Sequence, residues 1–109
     1  MWTDRLLKAD INISTATTTE VIAAPGAGKF LAIDFIAAQT DAANDVTIKD
    51  GSTTYGGAYN LTAGGGLTFE NTIKNKDGII TLTANTALNI TTSAATQLSG
   101  FVRYRVVNL

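Results

Sequence analysis

The residues that could do chemistry are few in kind. The 109-residue chain contains no cysteine and no histidine. That removes thiol nucleophiles, disulfides, imidazole general bases and histidine-based metal sites. Ser14, Ser52, Ser93 and Ser99 therefore have no imidazole to activate them. The nine carboxylates offer many pairs, but no spacing singles out two that would face each other across a cleft. Asp34 alone lies within a strongly apolar run, Phe30 to Thr40, and is expected to pair with Arg103, Arg105 or a backbone donor. Asp41, Asn44, Asp45 and Asp50 could offer oxygens to calcium, but their spacing is not that of an EF-hand, and they read as turn residues. Ala24-Pro25-Gly26-Ala27-Gly28-Lys29 looks like a phosphate-binding loop. Ala23 stands where its first glycine belongs, Phe30 where its hydroxyl belongs, and a strand pattern follows instead of a helix. A hairpin turn is expected there. No catalytic residue, cofactor or metal is assigned, and the chain is not expected to be an enzyme.

Binding is better provided for. Tyr55 and Tyr59 flank Gly56-Gly57 and could stack a sugar ring from one loop end, although core or interface packing is the commoner use of such rings. Arg103 and Arg105 alternate along the final strand, where the default is a solvated face. Trp2 and Leu6 are four apart with Leu7 beside them, a helical spacing that would let a short arm dock with Trp2 as its anchor. Phe35 lies in a strand apolar on both faces, which suggests a central strand or one covered by a neighbouring subunit. Trp2, Leu6, Leu7, Phe35, Arg103 and Arg105 are thus the candidate interface residues.

The elements that must position these residues are strands. Threonine is abundant, there are ten glycines and one proline, and branching at Cβ favours a pleated surface. Alternation marks Thr19 to Ala24, Phe30 to Thr40, Val46 to Lys49, Thr53 to Tyr55, Ala58 to Thr62, Leu67 to Glu70, Gly78 to Ala84, Leu88 to Thr92 and Leu98 to Val107. In the Phe30 run, Leu31, Ile33, Phe35 and Ala37 are expected on one face, with Phe30, Ala32, Asp34 and Ile36 on the other. Asp50-Gly51-Ser52 signals a type I′ hairpin. About eight evenly spaced strands suit an all-β antiparallel jelly-roll sandwich over residues 14–109, preceded by an N-terminal arm over 1–13. Hydrophobic residues make up 45% and charged residues 16%, with a net charge of −1. That balance gives no basic footprint for nucleic acid, and no apolar run approaches the roughly 20 residues of a membrane span. So weakly charged a surface suits a subunit partly buried in an assembly.

Thr17 to Ala24, the Pro25 to Lys29 turn, the apolar strand from Phe30, Leu61-Thr62-Ala63-Gly64-Gly65-Gly66-Leu67, Leu88 to Ala95, and Gly100-Phe101-Val102-Arg103-Tyr104 follow one another between Thr17 and Val106. In that order they resemble a family of small bacteriophage virion proteins. The resemblance implies a jelly-roll fold and a place on the virion; the charges spread through Met1 to Asp10, with no continuous apolar run, suit a chain made in the host cytoplasm. The implied role is head decoration or cement, bound to the major capsid protein and commonly trimeric. A tail or fibre module that recognises a receptor or carbohydrate is the alternative. The family brings no catalytic residues.

Overall fold

The computed structural model describes residues 5–73 and 75–109. Nine strands are present, and no helix occurs among the described residues: β1 (Leu7–Ile13), β2 (Thr18–Ile22), β3 (Lys29–Thr40), β4 (Asn44–Asp50), β5 (Thr53–Leu61), β6 (Gly66–Glu70), β7 (Ile80–Thr81), β8 (Leu88–Thr92) and β9 (Leu98–Asn108). All pairings are antiparallel. One sheet runs β1-β9-β3-β6, with the short β7 also on β3, and the other runs β2-β8-β4-β5. Setting β7 aside, the first strand pairs with the last, the second with the second-last, and so inward to the β4–β5 hairpin. A long hairpin rolled into two layers gives that order, and it is the jelly roll.

The core is aliphatic and drawn from both sheets: Ile11, Ile13, Leu31, Ile33 and Ile36 meet Val46, Ile48, Leu88 and Ile90, closed by Leu98 and Val102. The alternation of each strand sets this, since period-2 side chains send every second residue inward.

Several features depart from the sequence expectations. The N-terminal arm is, from Leu7 onward, the first strand of the jelly roll. Ile11 and Ile13 are only 2% and 3% exposed, and β1 pairs with β9 along its whole length. Leu7, Ala9, Ile11 and Ile13 alternate strictly with polar neighbours, so residues 7–13 belong to the sandwich, while Trp2 of the expected helical spacing lies outside the described residues. The faces of β3 also differ. Opposite Tyr104 and Arg103 of β9 stand Ile33 and Phe35, leaving Asp34 as the extra residue of a bulge. The bulge reverses the parity, so Leu31 and Ile33 share the core face with Ile36 and Ala38, while Phe35 and Ala37 turn outward. This is why the strand looks apolar on both faces. Finally, the Pro25 to Lys29 turn is not a hairpin: it carries the chain from β2 in one sheet to β3 in the other.

The Asp50 hairpin forms, with Asp50 opposite Thr53. Of its two loop residues only Gly51 has positive φ, 63°, which is the type II′ pattern in place of I′. Thr53 to Leu61 is one strand, not two, because Gly56-Gly57 is absorbed as a bulge against β4.

Candidate functional site

Two surfaces and one buried cluster bring the candidate residues together. The first surface is the outer face of the β1-β9-β3-β6 sheet. Register places Arg103, Phe35 and Glu70 in one row across β9, β3 and β6, with Phe101, Ala37 and Thr68 in the next and Ser99, Gln39 and Gly66 in the third. Phe35 and Phe101 stack with ring centroids 5.4 Å apart and an interplanar angle of 29°. Neither ring belongs to the core, and Phe101 is exposed. Beside them runs an open groove of about 360 Å³ lined by Ala37, Gly66, Thr68, Ser99, Gly100 and Phe101. Gly100 lies tight against β3: a Cβ there would sit 1.8 Å from the Ala37 carbonyl oxygen. Around the rings lie Lys8 and Asp10, ion-paired at 3.0 Å, and Arg103, whose Nε donates to the Leu7 carbonyl at 3.3 Å.

The cluster is built on the β3 bulge. Arg105 follows the outward parity of β9 yet is 1% exposed, because the chain between β6 and β7 folds over it. Its Nε and Nη2 donate to the two Asp34 carboxylate oxygens at 2.6 and 3.0 Å, and Nη2 also donates to the Asn75 carbonyl at 3.4 Å. Asn71 donates to Asp34 at 3.0 Å and to the Asn75 carbonyl at 2.7 Å, tying the covering segment to the bulge. Burial pushes the Asp34 carboxyl up, but the hydrogen bonds from Arg105 and Asn71 and the guanidinium charge outweigh it, leaving the group below its ordinary value. Asp34 therefore pairs with Arg105, one of its expected partners. The pair holds a loop to a sheet.

The second surface is the open side of the sandwich between β5 and β6. The diglycine bulge puts Tyr55 opposite Ile48 and Tyr59 opposite Val46, neighbouring positions on the core-facing side of β5. With Phe69, Ile79 and Ile80 they line a crevice of about 190 Å³, in which Tyr59 and Phe69 rings lie 5.6 Å apart at 57°. Sequence reading found the two tyrosines but not Phe69 or Ile79, which only the folding of β6 and β7 beside β5 brings to them.

The remaining candidates fall elsewhere. Leu6 is exposed ahead of β1, and Leu7 is half-buried opposite Tyr104. Trp2 lies outside the described residues. Asn44 is buried, its Oδ1 accepting the Ser93 and Ala94 amides, so it pins the β8–β9 connection. The Asp50 carboxylate accepts from the amide and hydroxyl of Thr83. Among the described residues no group of three acidic side chains could hold a metal ion. Comparison with protein-family models, with curated proteins and with solved structures finds no match.

Proposed function

We propose that this chain is a structural bacteriophage virion protein: a jelly-roll decoration or cement subunit that associates with its own copies and seats on the major capsid protein. One observation carries the reading. The outer face of the β1-β9-β3-β6 sheet has a stacked Phe35–Phe101 pair at its centre and a rim of Lys8, Asp10, Arg103, Thr68 and Glu70. An apolar centre inside a polar rim is the anatomy of a protein interface. Each buried aromatic contributes 150–250 Å² of area at about 25 cal/mol per Å², before the costs of association. Such a surface acts by covering and clamping, a role that requires no reacting group.

The fibre or sugar-binding alternative has the Tyr55–Tyr59 crevice in its favour. Apart from the two phenol hydroxyls, however, its lining side chains are hydrocarbon, whereas a sugar site needs several polar groups that fix orientation. The test is to add purified protein to heads lacking it and measure retention after sedimentation. Phe101→Asp should remain folded and lose head binding. Undiminished binding by that variant would contradict the assigned face.

A further inference from the structure

The β5 edge differs from the other sheet edges in what protects it. Sheets end at β1, β6, β2 and β5, with the two-residue β7 a further edge on β3. β1 presents the Lys8–Asp10 ion pair, β2 has five residues, a bulge and Glu20, and β6 has five residues ending at Glu70. Charge, shortness and bulges are how proteins keep an edge from pairing with another chain. β5 is nine residues long, with Thr53 to Ala58 all exposed. It has neither charge nor proline, and the sequence is uncharged from Gly51 to Phe69. Its one blunting device is the Gly56-Gly57 bulge, beyond which Ala58 to Leu61 runs regularly against β4. The apolar crevice opens directly beside this edge, with Tyr55 and Ile79 exposed at 38% and 43%.

We propose that β5 pairs antiparallel with β5 of a second copy about a two-fold axis. Two four-stranded sheets then become one continuous sheet, and each crevice is closed by the other copy's tyrosines. A two-fold contact sets one surface against itself, so charges on it would meet their like. Each chain carries a net charge of −1, yet β5 brings none of that charge to the seam. Paired strands keep the same side chains on the same face. Tyr55 and Tyr59 of the second copy therefore stand one strand spacing, about 4.8 Å, beyond those of the first, on the crevice side. Thr54, Ala58 and Asn60, opposite outward-facing positions of β4, remain on the solvent side. The inference deepens the self-association in the reading above, and its test in pure solution is separate from the head-binding test.

The chain has no cysteine, so introduced cysteines report the seam without background. Single variants Thr54→Cys, Ala58→Cys and Asn60→Cys are oxidised, with Glu20→Cys on the far edge as control, and sedimentation velocity follows wild type and Ala58→Lys. The pairing predicts a wild-type dimer, a disulfide-linked dimer from at least one β5 position and none from Glu20→Cys. It also predicts about a tenfold or greater weakening by Ala58→Lys, with a melting temperature unchanged when both proteins are diluted to monomers. A monomeric wild type overturns the proposal; if Tyr59→Ala then abolishes retention on a polysaccharide column, the crevice takes a sugar. A trimer or other oligomer that ignores Ala58→Lys and never cross-links through β5 also overturns it, while leaving self-association standing with another seam.

Discussion

Asp34→Ala should be among the most damaging single substitutions in the chain, and the damage should be repaired by a second one. The variant removes the two carboxylate oxygens that accept from a guanidinium that is 1% exposed, deleting bonds of 2.6 and 3.0 Å and leaving Arg105 charged in a site built for an ion pair. Breaking a buried pair from one side costs about 3–5 kcal/mol. For a domain of this size that is a loss of about 12–25 °C in melting temperature, taking roughly 4–5 °C per kcal/mol. Arg105→Met should cost less, because Asp34 has a side chain 17% exposed and keeps Asn71 as a donor. The double variant Asp34→Ala/Arg105→Met removes the buried guanidinium together with its carboxylate and should recover most of the loss, since an apolar replacement of a buried pair is commonly near neutral. Urea titration of all four proteins supplies the coupling energy. Additive losses would mean that the two residues act independently and that the ion pair is not what binds the β6–β7 segment to the sheet.

Acid should act through the same carboxyl. Its native pKa lies below the unfolded value of about 3.9, so its contribution is complete above that value and is lost as pH falls through the native pKa. The stability gap between wild type and Asp34→Asn, measured by urea titration from neutral to acid pH, should be flat above about pH 5 and narrow below about pH 4. Gly100→Ala places a Cβ 1.8 Å from the Ala37 carbonyl oxygen in the middle of the sheet and should cost about 3 kcal/mol, the upper end of overpacking costs, by thermal melting. Deleting residues 1–13 removes Ile11 and Ile13 from the core, at about 1.5–3 kcal/mol each. With the β1 pairing also lost, circular dichroism should show a chain largely unfolded at room temperature, where a dispensable arm would leave the β spectrum intact.

The strands were legible because alternation is a local property, and β2, β4, β8 and β9 stand close to where the pattern puts them. The face assignment of β3 was not legible. A bulge depends on the partner strand, and no local signal separates an Asp34 that faces outward in register from one that is squeezed out of register. β1 is a different case: Leu7-Lys8-Ala9-Asp10-Ile11-Asn12-Ile13 alternates as cleanly as any strand in the chain, but the i,i+4 spacing of Trp2 and Leu6 beside it carries a competing helical signal. At the candidate surfaces, Phe35, Tyr55 and Tyr59 could be picked out by type. Their companions Phe101, Phe69 and Ile79 are brought to them by pairings across 66, 10 and 20 residues or more of chain, which composition does not encode.

The virion reading is most directly tested by counting copies. Quantitative mass spectrometry of purified particles from a phage encoding this chain should find it in a fixed, simple ratio to the major capsid protein, and at that ratio on heads separated from tails. Its absence from purified particles would contradict the reading outright, and a handful of copies confined to tails would move the function to receptor binding.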